Sequence, residues 1–343
     1  RCGDYDALLR VVQEDAGILL ASLPPSEVPA ALDECPADAL KAHPFALLVL
    51  MRSMFNWRNI PKMLELKALL LAALEEHPEL PAEERGNLLG ECDLIMSFLC
   101  YNDISAMSRL HRSASAQMSR PAISIRSSGG WTFGSPSVLM MFYRAPGELA
   151  GELAEMAECM PHYYKITNGH GQGAETIMRA EAAFVQGRFT DAHIALERAY
   201  AQIEGNGQEN MALCCDFLAR RLSLFTDIGQ RAKLEKRRER LLAHHNVSWL
   251  NLWNAAAAYH HALLGSTDSI PEAYRRHRLF TVRTLAPGKP MIEMIENQVY
   301  LAQGEYAHVI GRSEGLLTQC EAMHYALVAL HIRIQTAAAY EML

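Results

Sequence analysis

Apolar residues recur along most of the chain with the spacing of amphipathic helices. After Gly187, one apolar stripe falls on a single helical face and consists of Ala192, Ala195, Leu196, Ala199, Tyr200 and Ile203. A second stripe lies upstream at Ile177, Ala180 and Phe184. Two amphipathic helices joined by a glycine-containing turn form an αα-hairpin. The pattern therefore predicts a helical hairpin here and an all-α chain.

The corner of this hairpin has a form that recurs. A large apolar residue follows each turn, at positions Ile60, Ile104, Leu149, Phe189, Ile270 and Tyr306. Most intervals are 36 to 45 residues, and the one of 81 spans two units with a degenerate corner at Ile228-Gly229. The period predicts a right-handed superhelix of about seven tetratricopeptide-like hairpins over 43–343. Residues 1–42 are predicted to be an N-terminal helical cap or linker, with one helix over 7–21. The alternative is an irregular helical domain whose corners look alike by chance.

Two segments interrupt the helical pattern. Residues 120–136 contain two prolines and three glycines with no helical period, and residues 167–173 are rich in glycine. Long irregular segments within compact domains tend to carry function. The sequence therefore directs the search for a site to these two segments.

Composition narrows the class of protein. The 343 residues are 50% hydrophobic and 21% charged, with a net charge of −7, which does not resemble the basic excess of nucleic-acid binding proteins. No apolar run reaches the roughly 18 residues that a membrane span needs. The eight cysteines are scattered, so we expect reduced thiols and a cytoplasmic location. Because the sequence begins at Arg1, we expect a piece of a longer protein or a processed product.

Catalytic and cofactor motifs are lacking. Neither GxxxxGK[ST] nor a GxGxxG after a strand is present, nor GxSxG, and His162, His170 and Glu175 do not have HExxH spacing. The basic run Lys233–Arg240 is best explained as a solvated helix face, with a phosphate-binding or docking patch as the alternative. We therefore predict a protein that is not an enzyme, with no cofactor or metal in this chain.

The candidate ligand site is aromatic and lies around the irregular segments. Stacking faces beside amides and a guanidinium, from Arg126 or Arg144, suit a sugar or another small polar ligand. About half of the local aromatic residues, Phe142 among them, are expected in the core. The segment before residue 174 precedes a helix whose N-terminus suits an anion, although a glycine-rich helix corner is the favoured alternative. The predicted ligand-binding residues are Arg126, Trp131, Phe133, Tyr143, Tyr163, Tyr164, His170 and Glu175.

Several phrases of the sequence resemble one known family. They are Gly90-Glu-Cys-Asp-Leu-Ile95, Tyr101-Asn-Asp-Ile104, Trp131-Thr-Phe-Gly-Ser-Pro-Ser137, Glu158-Cys-Met-Pro-His-Tyr-Tyr164 and Gly169-His-Gly-Gln-Gly-Ala-Glu175. Between about residue 43 and about residue 221 the chain is similar to the sensor region of bacterial MalT-like LuxR-type transcriptional regulators. The resemblance implies a sensor whose inducer biases a parent protein towards an ATP-bound, oligomeric, DNA-binding form. ATP and DNA would be bound by separate domains of the parent, and a sugar is one option for the inducer.

The function predicted from the sequence is thus a regulatory helical-repeat domain. It is expected to bind a small-molecule inducer or a regulatory protein on its concave face, without contacting a membrane. Self-association is expected only through the parent protein. Two alternatives stay open: a tetratricopeptide-type interaction scaffold without a small ligand, and an enzyme on a helical scaffold.

Overall fold

The computed structural model describes residues 4–17, 19–20, 23, 26–127, 129, 136–226, 231–243, 247–278 and 286–343. These residues contain eighteen α-helices and no β-strand, which confirms the predicted all-α class. None of their helices is both long enough and apolar enough to cross a bilayer. The chain divides into two compact units: unit 1 comprises 1–127 and 161–170, and unit 2 comprises 128–160 and 171–343. The predicted domain boundary after residue 42 stays a prediction.

Unit 1 holds the first seven helices. They are α1 (Tyr5–Asp15), α2 (Glu27–Asp33), α3 (Ala37–Lys41), α4 (Pro44–Asn56), α5 (Ile60–Glu76), α6 (Ala82–Met96) and α7 (Ile104–Gln117). Helix α4 packs against α1, α5 and α6, and α6 packs against α7. Every residue from Ala46 to Met51 is at most 1% exposed, because a helix that is apolar on all sides belongs in a core. The helix predicted over 7–21 is present as α1 but ends at Asp15, where Ala16 and Gly17 adopt positive φ.

The remaining helices belong to unit 2, except that α9 runs on into residues 161–166 of unit 1. They are α8 (Val138–Phe142), α9 (Leu149–Ile166), α10 (Ala174–Val185), α11 (Phe189–Gly205), α12 (Glu209–Leu222), α13 (Arg231–Ala243), α14 (Val247–Leu263), α15 (Glu272–Arg275), α16 (Lys289–Ala302), α17 (Tyr306–Ala322) and α18 (Ala326–Met342). Helix α12 is buried from Asn210 to Leu222 and packs against α10, α11 and α14. Helices α16, α17 and α18 pack on one another, and α8 contacts α10 and α18.

The predicted hairpin at Gly187 is confirmed. Helices α10 and α11 pack together, and the two stripes predicted for them are buried apart from the half-buried Ala195. Gly187 has a φ of +74° at the turn, a conformation that glycine adopts without steric strain. Four other corners also fall where predicted, since Ile60, Ile104, Leu149 and Tyr306 each begin a helix, whereas Ile270 precedes α15 by two residues. The degenerate corner at Ile228-Gly229 lies outside the described residues.

Polar caps and prolines explain several helix starts. The side chains of Asn59 and Asp103 accept backbone N–H groups of the first turns of α5 and α7, which otherwise lack intrahelical partners. Pro44 and Pro290 stand in first turns, where a missing N–H is tolerated. The glycine-rich segment 167–173 is irregular as predicted and ends where α10 begins.

Candidate functional site

The candidate site is a cleft of about 370 Å³ in unit 2. That volume is within the range typical of small-ligand pockets. Its lining comes from the α8–α9 loop, from the first turns of α9 and from the turn between α17 and α18. The lining residues are Arg144, Ala145, Glu148, Gly151, Glu152, Glu155 and His324.

The α8–α9 loop is held in place by its own hydrogen bonds. The N–H of Gly147 donates to the Tyr143 hydroxyl at 3.0 Å, and Gly147 has a φ of +89° that suits glycine. The carbonyl of Tyr143 accepts the N–H of Ala326, the first residue of α18, at 3.2 Å. The loop and the α17–α18 turn, which are about 180 residues apart in sequence, are thereby joined at the cleft.

Glu152 is the central side chain of the cleft. It is 6% exposed, and its Oε1 accepts the N–H groups of Arg144 at 2.8 Å and of Ala145 at 3.2 Å. Its Oε2 has no hydrogen-bond partner. Burial raises the pKa of Glu152, the two backbone N–H donors and the charge of Arg144 oppose that rise, and the charge of Glu155 adds to it. A buried carboxylate with one oxygen unused is unusual in native proteins and calls for an explanation.

Three carboxylates lie along one face of the start of α9. Glu148, Glu152 and Glu155 are spaced four and three residues apart, a spacing that places side chains next to each other on a helix. Arg144 and His324 are the basic side chains of the lining. The cleft is therefore acidic overall, and it suits a polar ligand better than an apolar one.

The structure places the predicted ligand residues as follows. Tyr143 supplies the loop contacts at the cleft, and Glu175 is half-buried in the first turn of α10; both belong to unit 2. Arg126, Tyr163, Tyr164 and His170 belong to unit 1. Trp131 and Phe133 lie outside the described residues.

Tyr163 and His170 form a buried pair. Their exposed fractions are 5% and 4%, and the Tyr163 hydroxyl lies 2.6 Å from Nδ1 of His170. Tyr164 is half-buried with its ring edge-on to Tyr163, while Arg126 is exposed and donates to the carbonyl of Asp15. Tyr163 and His170 thus have internal hydrogen-bond roles, and ligand contacts by these four residues stay predictions.

Sequence reasoning missed most of the cleft. It named Arg144 only as a possible neighbour of the aromatic residues and did not single out Glu148, Glu152 or Glu155. The sequence does carry a signal for these glutamates, because their spacing of four and three residues places them on one face of a helix. His324 carries no such signal, because only the fold brings it to this loop.

Several other buried charged groups form hydrogen bonds or ion pairs within the protein. In unit 1, both oxygens of Glu91 accept hydrogen bonds from residues 120–124. In unit 2, Glu181 accepts from the Ser137 hydroxyl and from the N–H of Leu139. The basic run on α13 is largely exposed, but Arg237 is buried and pairs with Asp216 at 2.7 Å. These groups hold loops and helices together.

One serine–histidine pair invites a catalytic interpretation. Ser97 Oγ lies 2.9 Å from Nε2 of His111, and both residues are at most 2% exposed. The serine hydroxyl donates its single proton to the carbonyl of Leu94 at 2.6 Å, so Nε2 of His111 must be the donor in this pair. A general base needs the opposite polarity, and burial lowers the pKa of His111 to about 3. This pair is accounted for by packing.

The described residues contain no group of three or more histidine, cysteine, aspartate or glutamate side chains placed to hold a metal ion. No family model, no curated protein and no solved structure matches the chain. The described residues thus form an all-α fold with an acidic cleft between the α8–α9 loop and the α17–α18 turn.

Proposed function

We propose that this chain is a ligand-sensing regulatory domain that binds a small polar molecule in the acidic cleft of unit 2. The observation that carries the proposal is the unpartnered Oε2 of Glu152 in a cleft of about 370 Å³. A ligand donor would satisfy this oxygen, whereas both oxygens of Glu91 and of Glu181 accept hydrogen bonds within the protein. The proposal keeps the sensor role expected from the sequence and moves the ligand from the predicted aromatic set to the cleft.

The finer fold prediction belongs to the same proposal. We propose that the helix pairs are tetratricopeptide-like hairpins of a right-handed superhelix. The cleft then lies between helices that are distant in sequence. Support comes from the corner residues Ile60, Ile104, Leu149, Phe189 and Tyr306, each of which is the first residue of a helix. Regular corners at intervals near 40 residues are typical of stacked helical repeats.

The position of the cleft suggests how binding would signal. The cleft lies between the α8–α9 loop and the α17–α18 turn, so a ligand that contacts both favours arrangements in which they are close. Only such differential affinity shifts a conformational population. In the parent regulator implied by the sequence resemblance, this shift would act on separate ATP-binding and DNA-binding domains.

A second candidate function is a protein-interaction scaffold. Phe225 is 60% exposed and stacks on Phe189 with ring centroids 5.1 Å apart. The ring of Phe184 also contacts that of Phe225, and Val185, the next residue in sequence, is 41% exposed. Exposed aromatic patches of this kind occur at protein interfaces. In this alternative the partner is a regulatory protein and the cleft has no small ligand.

A thermal-shift screen tests the proposal. The chain is heated with sugars, amino acids, amines, nucleotides and common metabolites, and a ligand present at 100 times its Kd stabilises the protein by about 2.7 kcal/mol. For a chain of this size that corresponds to a shift of several degrees. We expect a hit whose shift disappears in Glu152→Gln and persists in Glu158→Gln, a change at an exposed carboxylate of the same helix. A blank screen, together with a partner captured only when Phe225 is intact, would favour the scaffold.

A further inference from the structure

We infer that the ligand of the cleft presents a positively charged nitrogen, as an ammonium or guanidinium group, to Glu152. The inference rests on the proposed function and names the chemical class of its ligand. Three features of the cleft carry it: the net charge of the lining, the fixed orientation of the Glu152 carboxylate and its unused oxygen.

The charge of the lining favours a cation. Glu148, Glu152 and Glu155 bring three carboxylates to the cleft, and Arg144 is the one lining residue with a permanent positive charge. Like charges three and four residues apart on a helix destabilise it. Because Glu152 is buried, water screens its charge poorly. A bound cation would relieve this repulsion, whereas an anion would increase it.

The orientation of Glu152 is set by the backbone. Two N–H groups of the loop, from Arg144 and Ala145, hold Oε1, which restricts rotation of the carboxylate away from the cleft. Oε2 has no partner and belongs to a side chain that lines the cavity. Hydrogen bonds between an N–H of a cationic group and a carboxylate are shorter and stronger than those between neutral groups. A sugar hydroxyl would occupy Oε2 but would add no positive charge to a lining in which Arg144 faces three carboxylates.

An organic cation fits this cleft better than a metal ion. The described residues offer no cluster of three or more metal-ligating side chains, and Oε1 of Glu152 is already engaged by two backbone donors. Hard cations such as Ca²⁺ require six or more oxygen ligands. An ammonium group can be bound through Oε2 of Glu152 and does not need the converging set of ligands that a metal ion requires.

The test compares probes that carry different charges, two of which have the same length. Putrescine carries two ammonium groups, 1,4-butanediol is its neutral counterpart, and agmatine carries one ammonium and one guanidinium group; maltotriose serves as a neutral saccharide. Binding of each to the full chain is measured by calorimetry and by thermal shift. The variants are Glu152→Gln, Glu148→Gln as a second change at an exposed lining carboxylate, and Glu158→Gln as the matched control outside the lining.

We expect putrescine or agmatine to bind and 1,4-butanediol not to bind. The affinity should fall at least tenfold in Glu152→Gln, fall less in Glu148→Gln and stay unchanged in Glu158→Gln. Equal binding of putrescine and butanediol, or cation binding that survives both lining substitutions, would overturn the inference. If maltotriose binds in a Glu152-dependent way and the amines do not, the cation class is wrong and the sensor proposal stands. If none of the probes binds, the cation inference fails, and the sensor proposal is then decided by the wider screen.

Discussion

A glycine–glutamate pair occurs on α6 in unit 1 and on α9 in unit 2, and the two glutamates have different surroundings. Glu91 is 0% exposed; its Oε1 accepts from Arg120 and from the N–H of Ile123, and its Oε2 accepts from the N–H of Ser124. Glu152 is almost as buried, and it too accepts two loop N–H groups, but only through Oε1. Both glutamates thus connect a helix to a loop. Glu91 uses both carboxylate oxygens to do so, and Glu152 uses only one.

The glycines differ in the same sense. A Cβ added at Gly90 would overlap the side chain of Met118 and lie 3.0 Å from the carbonyl oxygen of Ala114, whereas one at Gly151 would meet nothing closer than 3.7 Å. The position next to Glu91 on α6 is therefore tightly packed, and the position next to Glu152 on α9 is open. Burial of a carboxylate by itself does not mark a site. A buried carboxylate with a remaining acceptor in the lining of a cleft does.

The largest effect that would sharpen this comparison is expected from Glu91→Ala. The change leaves the N–H groups of Ile123 and Ser124 without their acceptor and removes the ion-pair partner of Arg120. Each buried donor left without its acceptor costs about 1 to 3 kcal/mol, and because Arg120 is 38% exposed its lost ion pair adds little. We therefore expect a loss of about 4 kcal/mol. Glu152→Ala also removes the acceptor of two loop N–H groups, but these lie at the cleft, where water can replace the carboxylate, and we expect a loss of about 1 kcal/mol.

Urea unfolding followed by circular dichroism measures both free energies of unfolding, with Glu158→Ala as the exposed control. Equal losses in the Glu91 and Glu152 variants would show that Glu152 is as fully used by the fold as Glu91. The distinction between a structural carboxylate and a site carboxylate would then fail.

A third buried carboxylate predicts a pH dependence. Burial raises the pKa of Glu181 to about 7, against hydrogen bonds from Ser137 and Leu139 and the charge of Arg221. The free carboxyl titrates near 4.5, so the native state holds the proton more tightly than the unfolded state. The stabilisation from this group is complete below pH 4.5 and is lost as the pH rises to about 7, with a total of about 3 kcal/mol. Glu181→Gln cannot ionise and should remove this decline.

The measurement is the free energy of unfolding of both proteins between pH 4 and pH 7.5. We expect the difference between Glu181→Gln and the unchanged chain to move in favour of the variant as the pH rises. A constant difference across this range would mean that burial does not raise the pKa of Glu181.

Much of the helical fold was accessible from the sequence because it is encoded locally. Apolar stripes predict the α10–α11 hairpin, and the corner residues Ile60, Ile104, Leu149 and Tyr306 begin helices as expected. The end of α1 was predicted several residues too late. Ala16 adopts a left-handed φ of 51° and ends the helix, and nothing in the sequence around an alanine predicts that conformation. The division into two units depends on contacts between distant segments and has no local signal.

The candidate site was less predictable, for a physical reason. Aromatic residues near glycine-rich segments predicted a ligand site. Tyr163, however, is buried by packing and hydrogen-bonded to His170, and only the fold determines that contact. The acidic face of α9 is visible in the spacing of its glutamates. That Glu152 is buried with one oxygen unused depends on the loop at Arg144 and on the distant turn at His324, so no sequence pattern reports it.

The smallest expected effect tests the space around the two glutamates. Gly90→Ala places a methyl group against Met118 and the carbonyl of Ala114, and overpacking of this kind costs about 2 kcal/mol. Gly151→Ala adds a methyl group with ordinary contacts in the first turn of α9, where alanine favours the helix over glycine by up to about 1 kcal/mol. In thermal unfolding, we therefore expect the Tm of Gly90→Ala to be lower than that of the unchanged chain. The Tm of Gly151→Ala should be unchanged or higher. If both alanines destabilise the protein equally, the wall of the cleft is as tightly packed as the surroundings of Glu91, and the space that a ligand needs beside Glu152 is absent.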